Sequence, residues 1–239
     1  MSWRKVGSWF LSLALLLLVM SIALQLLLPT AAARAVEEAL YEGLGRPEKL
    51  AVKVEAFPAV EMLAGRIDGL EIRASGGGTS GFNWSRLEMS ARNLRVDLPS
   101  LIAGRQINVV ILGQAMASLS LTEQELFKWL TGQVGGGVQV TGLRLLDRLA
   151  RFDCKVRLLG RTIDFSVTGS FSVEDHRLVF SPAKLEVEGE ELGRPLASRI
   201  LDLFDLTFPV PQLPAGLVLV EAEIMDSRLE LTARNRPRP

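Results

Sequence analysis

A single cysteine, a single histidine and a single tyrosine occur in the 239 residues, and neither sign of charge is in excess, 27 Lys and Arg standing against 27 Asp and Glu. Each scarcity removes a class of function. Cys154 alone closes no intramolecular bridge, so a disulfide scaffold is excluded. One histidine rules out multi-histidine metal sites and most His-dependent catalytic arrangements, because the ligands and bases are not there. Balanced charge leaves no electrostatic footprint for a phosphate backbone, so nucleic acid is not an expected partner. Aromatics make up only 6% of the chain, which leaves the apolar positions to Leu, Val, Ile and Ala.

Charge is also missing over one long stretch. No charged residue lies between Lys5 and Arg34, and Val6 to Leu28 is an almost unbroken apolar run. As a helix at ~1.5 Å per residue it measures about 34 Å, enough to cross a hydrocarbon core of about 30 Å. Arg4 and Lys5 precede it, so the positive-inside rule keeps the N-terminus in the cytoplasm and places the chain beyond Pro29 outside. Two fates stay open for this segment. Ala31-Ala32-Ala33 offers a signal-peptide cleavage site, whereas the run is longer than the usual h-region, which favours an uncleaved anchor. No cysteine comes directly after the run, which excludes an acylated lipoprotein cysteine. The chain therefore divides into a membrane anchor or signal segment, 1–33, and an extracytoplasmic domain, 34–239.

Three segments of the domain have helical spacing. Ala32, Val36, Ala39, Leu40 and Leu44 form one apolar face ending near Gly45. Thr122-Glu-Gln-Glu carries the capping-box pattern ahead of Leu126, Phe127 and Leu130. A third runs from Pro195 through Ile200 to Phe204.

The rest alternates with period two. Ile163, Phe165, Val167, Gly169, Phe171 and Val173 interleave with Asp, Ser and Thr, giving a strand with one greasy face. Similar runs cover 52–57, 67–74, 87–98, 107–121, 138–145, 154–158, 178–187 and 217–233. Two runs change phase midway, at 91–94 and at Met225-Asp226-Ser227, where a bulge or a tight turn fits. Short connections require antiparallel pairing. The expected fold class is α+β and sheet-dominated: long curved antiparallel strands forming a half-open barrel or groove, a few short helices, and a preceding N-terminal transmembrane helix.

Signals for chemistry are weak. His176 lies in Val173-Glu-Asp-His-Arg177, which reads as a solvated hairpin turn. No GxSxG elbow surrounds a serine, and Gly76-Gly77-Gly78 and Gly135-Gly136-Gly137 lack the Lys-Ser/Thr of a phosphate loop and read as flexible linkers. Glu186, Glu188, Glu190 and Glu191 read as an acidic turn rather than a calcium loop. The basic tail Arg234 to Pro239 is a solubilising end or a contact for anionic headgroups. No metal, cofactor or catalytic residue is expected, and the protein is read as not an enzyme.

A family resemblance rests on four blocks. Phe57-Pro-Ala-Val-Glu-Met-Leu-Ala-Gly-Arg-Ile-Asp-Gly-Leu-Glu-Ile72 resembles the FPxxxLLxGRIxxLxI signature of the bacterial LmeA-like phospholipid-binding proteins. Leu94 to Arg105 is similar to that family's LxVDLxxLLxGR segment, Ala117 to Leu126 to its AxLTExDL block, and Leu213-Pro-Ala-Gly-Leu217 to its closing LPxGL turn. The resemblance implies a cell-envelope protein that holds phospholipid acyl chains in an apolar groove for lipid transfer or envelope maintenance. It also implies an architecture like that of tubular lipid-binding proteins, sheet wrapped around a long helix, although after the anchor this sequence shows only short helices. Sparse Tyr and Trp argue against a sugar-stacking cleft. Candidate acyl-groove residues are Phe57, Leu63, Ile67, Ile163, Phe165, Val167, Phe171, Ile200 and Phe204. Arg66 and Arg105, each following Gly, are headgroup candidates because guanidinium binds phosphate bidentately, with structural turn arginines as the alternative. The partners expected are phospholipid and membrane. The rival reading is a non-catalytic structural or interaction module of the envelope with a filled core.

Overall fold

The structure is a computed structural model that describes residues 3–79, 82–96, 109–111, 113–131, 138–158, 161–187, 189–191, 207–208 and 216–235. It opens with one long helix, α1 (Trp3–Gly43), which carries Pro29 in its interior. The apolar run and the expected short helix at 32–44 are thus a single element. Proline at 29 removes one N–H from the ladder, but Ala31 to Ala33 are strong helix formers and carry it through. Thr30 Oγ1 donates to Leu26 O at 2.6 Å beside the interruption. The helix is long and apolar enough to cross a membrane, with a mean hydropathy of 2.3 over its most apolar window. It ends where Gly45 and Arg46 take positive φ, 75° and 56°.

Two open antiparallel sheets come after it. The first has the order β1-β2-β3-β5-β13-β12, with β4 beside β3. Its strands are β1 (Lys49–Glu55), β2 (Arg66–Thr79), β3 (Phe82–Val96), β4 (Val109–Ile111), β5 (Ala115–Thr122), β12 (Leu217–Met225) and β13 (Arg228–Asn235). The second has the order β10-β9-β8-β7-β6, with β11 on β9. It contains β6 (Val138–Leu146), β7 (Leu149–Leu158), β8 (Arg161–Glu174), β9 (Arg177–Val187), β10 (Glu190–Glu191) and β11 (Thr207–Phe208). The architecture is the sheet-dominated one expected, and neither sheet closes into a barrel.

Local chemistry explains the boundaries. The ambiguity at Met225 resolves as a two-residue hairpin, because Asp226 and Ser227 both take positive φ, 50° and 57°, the backbone that matches strand twist in such turns. Asp175 and His176 make the same turn between β8 and β9. At the other phase change Asn93 has φ 53°, and the inward set moves from Leu87, Met89 and Ala91 to Leu94. The run at 107–121 is interrupted there, where Gly113 N donates to Asn93 O. The capping box forms: Thr122 N donates to Glu125 Oε2 at 2.8 Å and Glu125 N to Thr122 Oγ1 at 3.4 Å, opening the second helix, α2 (Glu123–Thr131). The helix expected at 195–204 and the glycines at 135–137 lie outside the described residues.

Gly76-Gly77-Gly78 is not a linker. It belongs to β2, and the end of α1 rests on it, with Gly78 N donating to Leu44 O at 3.2 Å. A Cβ on Gly77 would fall 2.3 Å from Trp84 Cζ2, so glycine here permits close packing rather than flexibility.

Residues of both sheets and α2 share one core. Leu121, Leu126, Leu130, Leu178 and Leu229 are fully buried in it, and Phe82 meets Trp129 edge-on at 5.2 Å.

Candidate functional site

The greasy face of β8 lies in that core. Rungs run across the second sheet: Leu143, Phe152, Val167 and Leu185 form one, and Val140, Cys154, Phe165 and Val187 the next. Phe152, Phe171 and Phe180 pack together, with Phe152 and Phe180 at 4.8 Å and 83°. This part of the interior is filled by side chains. Toward the end of the sheet the rungs open: Val140 and Val187 are half-buried, as are Val156 and Ile163 opposite it.

The first sheet differs at the end near α1. Ala233 pairs with Ala117, Met89 with Ala117, and Ala91 with Ala115. The four alanines are buried beside Leu94 and Leu217, and Ile67, Leu70 and Met89 pack half-buried against them. Methyl groups therefore form the floor, and longer aliphatic chains rim it. Ile67 and Leu70 also belong to a neighbouring cluster of Val54, Ala56 and Met62, against which α1 packs Leu28, Ala32 and Ala33. One rung, Ala115, Ala91, Leu70 and Val54, crosses four strands and ends beneath the helix. The result is a continuous aliphatic stripe from α1 to the middle of the sheet.

The loop between β1 and β2 locks this junction. It holds a 3-10 turn (Ala59–Ala64). Gln25, within the apolar run, donates from Nε2 to Ala56 O at 3.2 Å and accepts at Oε1 from Ala59 N at 2.7 Å. Both ends of its amide are thereby satisfied. Between these anchor points Phe57 is 80% exposed, and Val60 beside them is 53% exposed. Phe57 N donates to Asp68 Oδ2 at 2.6 Å, so the exposed ring sits beside a carboxylate at its own backbone. Arg66 is exposed at the foot of β2, 3.7 Å from Glu61.

The outer sheet faces are polar. On the second sheet Glu186 accepts from Lys184 Nζ at 2.7 Å and Arg151 Nη2 at 2.9 Å. The Lys184 hydrogen bond, aided by the Arg151 charge, holds the Glu186 carboxyl below its usual range. Glu186 and Glu191 thus share Lys184, and among the described residues no cluster of three His, Cys, Asp or Glu is arranged to hold a metal. A depression of about 290 Å³ lies against this charged ladder, and one of about 620 Å³ on the first sheet is lined by Arg86, Glu221, Glu223, Arg228 and Glu230. The larger one, with its charged lining, suits water rather than acyl chains. Cys154 is buried, and desolvation pushes its thiol up to about 12, which removes the thiolate at neutral pH. His176 is an exposed turn residue whose Nδ1 lies 3.1 Å from Leu219 O.

The expected site residues separate into two groups. Phe165, Val167 and Phe171 are core, and Ile163 is on the half-buried rung beside them. Phe57, Arg66 and Ile67 gather instead at the α1 junction, Ile67 within the stripe, Phe57 and Arg66 at its exposed foot. Leu63 sits on the 3-10 turn; its side chain, Arg105, Ile200 and Phe204 lie outside the described residues. The alanine floor and Gln25 are not among the bulky residues that the sequence offers as candidates. The signals were present: Ala115 and Ala117 alternate, and Gln25 is the one amide in the apolar run.

A family model described as LmeA-like phospholipid-binding matches residues 23–234. No curated protein and no solved structure matches the chain.

Proposed function

The chain belongs to the LmeA-like phospholipid-binding family, and from that membership we propose that it is a membrane-anchored, extracytoplasmic, non-catalytic protein that takes phospholipid acyl chains onto the aliphatic stripe of its first sheet. The observation that carries the location of the lipid is the half-buried rim of Ile67, Leu70 and Met89 over the alanine floor, joined without a polar break to α1. The interior of the second sheet is occupied by its own phenylalanines, so the stripe is the better place for a chain. Two acyl chains of about 16 carbons expose roughly 30 methylenes, about 25 kcal/mol in water at ~0.8 kcal/mol each. Aliphatic contact along the stripe replaces bilayer contact and makes the transfer nearly neutral. Arg66, exposed beside Glu61 at the foot of the stripe, is the side chain proposed to meet the lipid phosphate.

Three features support the anchored, outward orientation. Arg4 and Lys5 flank the cytoplasmic end of the run. The helix continues through Ala31 to Ala33 without a break, and the contacts made by Gln25, Leu28, Ala32 and Ala33 give the segment a role in the folded domain that cleavage would abolish.

The test is native mass spectrometry of the full chain in mild detergent. Bound phospholipid in the parent and at least about tenfold lower occupancy in Leu70→Gln or Met89→Gln, polar groups in an apolar contact, is the expected result. Lipid-free parent protein that also takes none from vesicles would move the assignment to the structural module.

A further inference from the structure

We infer that the loop carrying Phe57 and Val60 is a second membrane contact, a wedge that seats the domain on the outer face of the bilayer that α1 crosses. The inference goes beyond lipid binding: it concerns where the domain rests, and it stands on α1 being the span.

The position of Gln25 fixes the level of the loop. The apolar run ends at Leu28, and Gln25 lies about 4.5 Å below that end at ~1.5 Å per residue, at the boundary of hydrocarbon and headgroups. Its amide is bound on both sides by Ala56 O and Ala59 N. In that setting an amide without partners is costly, and here the loop supplies them. The loop backbone is thereby held at the same depth as Gln25, and Phe57 lies between the two bonds.

The exposures then become intelligible. A phenylalanine that is 80% exposed and a valine that is 53% exposed, three residues apart on a tied-down loop, bury little of themselves against the described residues. Leu24, Leu26 and Leu27 of α1 are exposed at the same level, around the helix from the face that Gln25 turns to the loop. Just outside it, the exposed ion pairs of Lys53 with Glu55 and of Arg66 with Glu61 make a charged rim. The occupant that matches an apolar tip with a charged rim, on a helix leading into hydrocarbon, is the bilayer interface.

The test uses the full chain in phosphatidylcholine–phosphatidylglycerol vesicles with single nitroxide labels at Val19→Cys, Phe57→Cys, Val60→Cys and Met225→Cys; the buried native thiol stays unlabelled. Met225 is about as exposed as Val60, 57% against 53%, but at a distant hairpin, and Val19 reports the span itself. Expected are lipid-like collision profiles at 19, 57 and 60, with a ratio of oxygen to water-soluble nickel chelate about threefold or more above that at 225 for an interfacial residue. A lipid-like label at 19 with water-like labels at 57 and 60 overturns the wedge while leaving the anchor and lipid binding standing. A water-like label at 19 overturns both wedge and span. The label at 60 reads the loop with Phe57 intact, so a local effect of removing the ring does not decide the outcome.

Discussion

Burial changes what individual residues can do, and Cys154 is the clearest case. Its thiol sits in a rung of the second sheet with its proton held up to about 12. A thiol reagent at pH 8 should leave the native protein unmodified and label it fully in urea. The shift also has a sign for stability. The unfolded chain loses this proton near its ordinary value of 9.0, the folded chain only near 12, so stability is unaffected below about pH 9 and falls between these values by up to about 1.4 kcal/mol per pH unit. Urea unfolding at pH 8 and 10 should show that drop in the parent and a smaller one in Cys154→Ala. Glycine acts by opposite means. At Gly45, φ is 75° and an added Cβ would lie 1.6 Å from Gly78 O. Gly45→Ala should therefore cost about 2–4 kcal/mol, read from the urea midpoint.

Elements were legible in the sequence where their ends carry chemistry. The capping box at Thr122 and Glu125 announced α2, and Thr122→Ala should cost about 1 kcal/mol of stability, measured by the same unfolding curve. Period two located most of the strands, since polar and apolar residues alternate cleanly where one face meets the core. Turn and bulge were indistinguishable at Met225 because a phase change arises from either; the positive φ of Asp226 and Ser227 decided it. Gly76 to Gly78 misled because composition cannot show that the end of α1 and the ring of Trp84 need the missing side chains. Long-range contact was invisible for the same reason: nothing local says that Gln25 binds a loop 31 and 34 residues away. Gln25→Leu keeps the helix apolar but removes both bonds, and should raise amide exchange in 56–60 by about tenfold, corresponding to ~1.4 kcal/mol of local opening.

Across the whole molecule, class and pairing direction were readable from sequence, whereas the division of labour between the sheets was not. Alternation cannot say which part of a greasy face is packed by aromatics and which by alanine: the first sheet has Phe82 and Trp84 in the shared core and alanines at its other end. Phe152, Phe171 and Phe180 commit the second sheet to core, and the small residues of the first leave its aliphatic rim as the candidate site.

The continuity of α1 has a mechanical consequence. Because the helix runs through Pro29 and then docks on β1 and the 3-10 turn, no hinge separates the apolar run from the sheets. A protein hung on a flexible leash samples a hemisphere and can ferry cargo across it. A domain fixed to its own mast samples almost none, so its reach beyond that helix equals its length.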